Sequence, residues 1–185
     1  MNPWHDISRN RVTTDSFWAL IEISKGSKNK YELDKETGRL KLDRVLFTST
    51  HYPQNYGLIP LTYADDFDPL DVLVLCSEDI LPMSFVECIP IGVLNMVDNG
   101  LNDEKIIAVA KSDPFYSGYK DILDVPNHIM DEIKHFFQVY KTLEGKPTSV
   151  DCFEGSAVAK QIIQKCMDRY TKEIVPKLME DRKRR

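Results

Sequence analysis

Apolar and polar positions change period once along the chain. Between Phe17 and Ala110 the apolar residues come in short runs of strand length, and from Pro126 onward they recur at helical spacing. FWALIEI (17–23) reads as a strand. NKYEL (29–33) alternates, so that Lys30 and Glu32 share one face and Tyr31 and Leu33 the other. RLKLDRVL (39–46) follows a Thr-Gly turn signal and begins with the same alternation, which predicts a hairpin across 29–46. DVLVLC (71–76), FVECIPIGVLNMV (85–97) and EKIIAVA (104–110) are further strands. Several short strands separated by turn signals predict a small barrel or sandwich.

The last third is helical. Ile129, Met130, Ile133, Phe136, Phe137 and Tyr140 fall on one helix face, with Pro126 in the first turn and Gly145 as the stop. A second helix starts near Ser156, carries Ile162, Ile163, Cys166, Met167, Tyr170 and Ile174, and is ended or bent by Pro176. Strands followed by helices predict an α+β fold, and 185 residues with neither repeat nor linker suit a single domain over 1–185.

Composition narrows the function classes. An apolar fraction of 42% and a charged fraction of 29% are ordinary for a globular protein. The net charge of −5 gives no basic footprint for a nucleic-acid backbone. The short basic tail DRKRR reads as a solvated helix end. No secretory signal is visible in MNPWHDISRNR, and the apolar runs are too short to span a bilayer, so no membrane partner is expected. Cys76, Cys88, Cys152 and Cys166 form neither a C-x-x-C pair nor a zinc spacing, which suits a reducing, cytoplasmic setting.

The chemistry concentrates in DDFDPLD (65–71), four aspartates in seven positions running into the apolar VLVLC. Like charges so close repel, and aspartate is a poor strand former. In an extended segment Asp66 and Asp68 point to one side, and Pro69 breaks regular pairing so that the chain can turn Asp71 back towards them. Carboxylates that converge in this way suit a hard divalent cation such as Mg²⁺, which takes oxygen ligands. A solvated acidic turn is the plainer reading, and four aspartates abutting an apolar strand favour the metal over it. An EF-hand is excluded, because Pro69 and Leu70 stand where that loop needs a flexible chain and a ligand, and no glycine follows. DNGLNDEK (98–105) supplies Asp98, Asp103 and Lys105 in a second acidic loop. Glu22, Lys30, Glu32, Arg44, Tyr52, Tyr56, Tyr140 and Lys141 have ordinary explanations singly. Together they form the set that two linked phosphates and their cations require: cations and phenol donors for the oxygens, carboxylates for the metals.

With these residues in place, DDFDPLDVLV resembles the D-G-D-P-L-D-V-L-V signature of the soluble family I inorganic pyrophosphatases. IEI, K-Y-E, L-D-R-V-L, Y-P-x-N-Y-G, D-x4-D-x-K and H-F-F-x-x-Y-K-x-L-E follow the family order from Phe17 to Glu144. The resemblance implies a five-stranded, OB-like β-barrel with flanking helices and Mg²⁺-dependent hydrolysis of pyrophosphate to two orthophosphates, with Mn²⁺ or Zn²⁺ as substitute ions. It implies that Asp66, Asp71 and Asp103 hold the paired activating metals and that Asp68 is the general base. Glu22, Glu32, Asp98 and Asp103 would hold the metals that arrive with substrate. Lys30, Arg44, Tyr56, Lys105, Tyr140 and Lys141 would bind phosphate, and Tyr52 would support the metal shell.

Two positions depart from the family pattern. Phe67 stands where glycine is usual, so a positive φ there would strain it, and its ring is expected to point away from the metals, as an apolar wall over the site. Asn99 follows Asp98 where an acid is common. The competing functions are hydrolysis of another phosphoanhydride at the same site, and a catalytically silent OB-type module that binds oligonucleotides. The full set of carboxylates argues against the second. The short chain resembles the compact prokaryotic-type members, which implies a homo-oligomer, a hexamer, with exposed apolar helix positions available for its contacts.

Overall fold

The computed structural model describes residues 2–98, 100–146 and 148–184. Nine strands and three α-helices follow one another as β1 (Phe17–Ile23), β2 (Asn29–Leu33), β3 (Leu40–Val45), β4 (Asn55–Leu58), β5 (Asp71–Leu75), β6 (Phe85–Asp98), β7 (Leu101–Asn102), β8 (Lys105–Ala110), α1 (Asn127–Val139), β9 (Thr148–Gly155), α2 (Ser156–Glu173) and α3 (Val175–Arg184). Strands pair in the order β1–β4–β5–β8–β6, and a further β1–β6 pairing closes these five into a ring. The expected α+β, five-stranded OB-like architecture is therefore present. Within the ring only β5 and β8 run parallel, with Asp71 opposite Lys105. The predicted hairpin is β2–β3, which stands outside the ring, with Gly38 at φ +68 in its turn.

The apolar runs of the ring strands are continuous because both faces are covered. Along β5, Val72 and Val74 pack into a cluster that includes Ala159, Ile163, Cys166 and Tyr170 of α2. Leu73 and Leu75 face a second cluster with Ile133, Phe136 and Phe137 of α1. Pro126 precedes α1, and Gly145, at φ +67, ends the short 3-10 turn that follows it. The helical pattern from Ser156 stops at Glu173, and Pro176 falls in the first turn of α3, where its missing N–H costs nothing. Among the described residues no helix is long and apolar enough to cross a membrane. All four cysteines are free.

Three strands lie where the sequence pattern gives no strand, the two-residue β7 in the second acidic loop among them. β4 begins inside HYPQNYG, which reads as a loop, and carries its own reason for a glycine. A Cβ on Gly57 would stand 1.9 Å from the Leu20 carbonyl oxygen, so only glycine lets β4 lie against β1. β9 contributes Val150 and Phe153 to the α1 cluster, but its alternation is broken by a register shift against Leu94–Met96 of β6. Among the described residues, exposed apolar side chains stand on α3 (Met179), as expected of the helices, and also on β3 and its exit (Leu42, Val45, Phe47) and around Leu81–Phe85.

Gly57→Ala meets backbone, which cannot step aside, so it should lower stability by about 3 kcal/mol in urea unfolding. Gly118→Ala, with nothing within 4 Å of its Cβ, should stay within about 0.5 kcal/mol.

Candidate active site

The first strand residues of the parallel pair define the floor of a cleft. Asp71 opens β5 and Lys105 opens β8, so their register brings the two side chains together. The Lys105 ammonium bonds Asp71 Oδ2 and Asp103 Oδ1, and the Tyr56 hydroxyl donates to the same Asp71 oxygen at 2.5 Å. Burial alone would lower the pKa of Lys105, but Asp71 and Asp103 outweigh it and hold the ammonium charged well above its usual range. Burial, then the charges of Asp71 and Asp103, push the Tyr56 phenol well up, so it is a proton donor near neutrality.

Around this floor lies a cleft of about 440 Å³. Glu22 enters from β1, Lys30 and Glu32 from β2, Asp66 and Asp68 from the acidic loop, Asp98 from the end of β6, and Tyr140 and Lys141 from the end of α1. The structure thus gathers twelve of the fourteen residues singled out in the sequence into one wall, although they are spread over 120 positions. Arg44 and Tyr52 are not in the lining. Arg44 Nε donates to Glu144 at 2.8 Å and Nη1 to Asp43 at 2.6 Å, while Nη2 is buried without a partner. Tyr52 is buried, its ring 5.4 Å from Tyr56 and 4.7 Å from Phe136, so it backs the cleft rather than facing it.

Nine carboxylates and five lysines line the cleft, and the excess of acid is felt by particular residues. Glu22 is pushed up to about 8, first by burial and then by Asp71, against the Leu33 amide that donates to it at 2.6 Å. Asp66 is pushed up to about 7 by burial and by the charges of Asp71 and Asp103. Asp98 gives one oxygen to Lys141, and its Oδ1 is buried with no partner. An all-oxygen set with orphaned and charge-frustrated carboxylates fits a hard divalent cation, with these acids as the ligands available to it. As placed, no three such groups among the described residues stand at the spacing of a single ion. Lysines occupy the gaps instead: Lys105 joins Asp71 to Asp103, Lys30 pairs with Glu32, and Lys141 with Asp98.

Sequence reasoning missed Lys35. It sits at the tip of the β2–β3 hairpin and pairs with Asp68 Oδ1, closing the hairpin over the acidic loop. No local signal marks it, since the contact joins residues 33 positions apart. Glu144, the partner of Arg44, was likewise not singled out. Phe67 takes φ +69, the left-handed conformation in which its side chain is strained, and its ring does not wall the cleft. It points outward, 59% exposed, towards Tyr63 and Arg169. Asn99 lies outside the described residues.

Comparison with known proteins places the chain in a family. The model of the inorganic pyrophosphatase family matches residues 19–171. A soluble inorganic pyrophosphatase of Solanum tuberosum is 48% identical over 177 residues, covering 96% of this chain and 84% of that one. One from Chlamydomonas reinhardtii is 46% identical over 176 residues, covering 95% and 92%. Among solved structures, the inorganic pyrophosphatase of Helicobacter pylori superposes with a TM-score of 0.86 at 44% identity, covering 90% of this chain and 99% of that one. That of Thermus thermophilus gives 0.82 at 41% identity, covering 85% and 92%.

The raised carboxyls set a pH dependence. Glu22 and Asp66 ionise near pH 4 in the unfolded chain and only at about 8 and about 7 when folded. The folded state therefore holds more protons across that window, and stability must fall as pH rises through it. With metal removed by chelation, the melting temperature should drop between pH 5 and pH 8. Glu22→Gln, which keeps the acceptor for Leu33, should flatten the drop and stabilise the chelated protein at pH 8 by about 2–4 kcal/mol. A melting temperature that is flat across this range would remove the frustration argument.

Proposed function

The chain belongs to the inorganic pyrophosphatase family, and we propose that its cleft hydrolyses pyrophosphate to two orthophosphates with Mg²⁺ as cation and Asp68 as general base. The activity is that of an inorganic diphosphatase, and its cofactor is a divalent metal. Support for the reading comes chiefly from one observation: a buried lysine and a phenol converge on Asp71 at the centre of a cleft in which carboxylates outnumber lysines nine to five. Such a cleft repels a tetraanionic substrate unless cations intervene.

Asp66, Asp71 and Asp103 are assigned to the activating ions, and Glu22, Glu32, Asp98 and Asp103 to those that accompany substrate; Mn²⁺ or Zn²⁺ would fill the same sites. Bound divalent ions supply Lewis acidity, lowering the pKa of water and neutralising phosphate oxygens. The chain's own groups do the rest. Asp68 takes the proton of the attacking water; Lys35 engages its Oδ1, and Oδ2 is the oxygen assigned to the transfer. Lys30, Lys105 and Lys141 place positive charge along the cleft, where the leaving phosphate gains it. Tyr56 and Tyr140 are phenols kept protonated by burial, so they cannot compete as anions; Tyr140 donates to phosphate oxygens, and Tyr56 does so on releasing Asp71. Arg44 reaches phosphate only by releasing Glu144 or by using its unpartnered Nη2. Tyr52 holds Tyr56 from behind.

The remaining assignments follow from the same reading. One domain over 1–185 carries the site, and four free cysteines suit a cytoplasmic setting. No nucleic acid or membrane partner is required. The chain assembles as a homo-oligomer, a hexamer, with the apolar residues Leu42, Val45 and Phe47 of the β3 region open for contact. Light scattering should give a mass near six chains of 21.4 kDa; a monomer would refute the assembly.

Orthophosphate release tests the function. Wild type should release phosphate from pyrophosphate with Mg²⁺, much faster than from ATP, and lose the activity on chelation. Asp68→Asn should leave the fold intact and lower turnover about 10²- to 10⁴-fold. Near-normal turnover in that variant would reassign the base, and preference for ATP would favour the wider phosphoanhydride reading.

A further inference from the structure

The acidic loop carries a strained residue between two of its site carboxylates. Phe67 lies at φ +69, a conformation unfavourable to any side chain with a Cβ unless the surroundings hold it. Burial does not hold it, because the ring is 59% exposed. A cation does. The Arg169 guanidinium, from α2, lies 5.4 Å from the Phe67 ring centre and 4.8 Å from that of Tyr63, and the two rings are 6.3 Å apart.

The same guanidinium is wired into the turn. Arg169 Nη1 donates to the Ala64 carbonyl at 2.5 Å and to Asp65 Oδ1 at 3.1 Å, while Nε donates to Glu173 at 2.9 Å. Ala64 closes the turn on both sides, accepting from the Phe67 amide at 3.1 Å and donating to the Asp68 carbonyl at 2.7 Å. Inside the turn the Asp68 amide donates to Asp66 Oδ1 at 3.2 Å. A rotation at residue 67 would therefore re-aim Asp66 and Asp68 in opposite senses. Lys165, one turn earlier on α2, donates to the other oxygen of Asp65 at 2.8 Å, and the stack over Phe67 and the bond to the Ala64 carbonyl come from Arg169.

We infer that Arg169 and Phe67 are positioning residues: the Tyr63–Arg169–Phe67 stack holds residue 67 left-handed and so aims Asp66 and Asp68 into the cleft, tying α2 to the site. The inference rests on the reading of the cleft as a Mg²⁺-dependent pyrophosphatase, but the clamp has readouts that need no turnover.

The experiment is a double-mutant cycle on the full chain. Mg²⁺ affinity by calorimetry, backbone amide exchange at Asp68 without metal, and Mg²⁺-dependent pyrophosphate hydrolysis are measured together. Arg169→Ala should weaken Mg²⁺ binding about tenfold, raise the Mg²⁺ needed for half-maximal hydrolysis by the same factor, and speed exchange at Asp68. Arg169→Lys keeps a cation over the rings and should recover most of the loss. Phe67→Gly forms the left-handed turn without a stack, so Arg169→Ala should cost far less in that background. Lys165→Ala should leave all three measurements at wild-type values. An Arg169→Ala protein that melts lower yet binds Mg²⁺ within twofold of wild type would overturn the clamp, and so would strictly additive effects at 67 and 169. If Arg169→Ala does not fold, Arg169→Lys with Phe67 and with Gly at 67 completes the cycle. Failure of wild type to hydrolyse pyrophosphate would sink the functional reading alone, since calorimetry and exchange still judge the clamp.

Discussion

A lysine buried to 3% exposure at the head of β8 governs the arrangement of the cleft. Removing an ammonium from water is costly, and only well-placed opposite charge repays it. Asp71 and Asp103 provide that charge, and both depend on backbone register: Asp71 faces Lys105 across the parallel β5–β8 pair, and the Asp103 amide is held by the Met96 carbonyl of β6 at 2.9 Å. A one-residue slip of β8 would turn Lys105 to the other face and strand all three charges. The ring is therefore committed to one register by its polar end as well as by its apolar faces. Everything else in the cleft is delivered around this pinned cluster.

What is delivered is more acid than the lysines can neutralise. The surplus appears as carboxyls driven up by burial and by one another, Glu22 to about 8 and Asp66 to about 7, and as the partnerless Oδ1 of Asp98. A sequence selected for stability alone would replace these acids. Their presence marks a site where stability is given up for binding, with divalent cations as the missing charge. The same logic explains why lysines bridge acids throughout the cleft: each one is the nearest available cation, and each lies where anionic oxygens and metals would compete for its partner.

Legibility from sequence followed the length and regularity of the signal. β1, β5, β6 and β8 are apolar and long enough to read, and α1 shows its buried stripe and its flanking Pro126 and Gly145. β4 did not read as a strand because its four residues, NYGL, owe their conformation to the close approach of Leu20 at Gly57, which is a tertiary demand. β9 did not because its alternation is broken at a bulge in its pairing with β6. At the site, motif order placed the residues together, whereas their partners stayed hidden. Lys35 on Asp68, Glu144 on Arg44 and Arg169 on Phe67 each join residues from 33 to 102 positions apart, and no local pattern encodes such a meeting. Phe67 was legible as a departure from the glycine of the family signature, but the direction of its ring was decided by α2.

The walls of the cleft differ in how firmly they are held, and that difference bears on how substrate enters. The end of β2 beside the hairpin turn is fixed by the buried Glu22, which accepts from the Leu33 amide at 2.6 Å. The backbone at the tip is held as well, since Asn2 Nδ2 donates to the Lys35 carbonyl at 2.7 Å, whereas the Lys35 side chain crosses to Asp68 in a pair 43% and 50% exposed, whose contribution is on the order of 0–1 kcal/mol. The acidic loop, by contrast, is anchored on several sides: Leu70 donates to the Thr62 hydroxyl at 2.9 Å, Trp4 Nε1 to the Thr62 carbonyl at 3.0 Å, and Tyr63 to the Cys166 carbonyl at 3.0 Å. Thermal energy is enough to release the Lys35 side chain from Asp68 but not to move the loop. Entry therefore asks only that the Lys35 side chain swing aside, while Asp66, Asp68 and Asp71 stay in place and the Asp68 carboxylate is freed already aimed into the cleft.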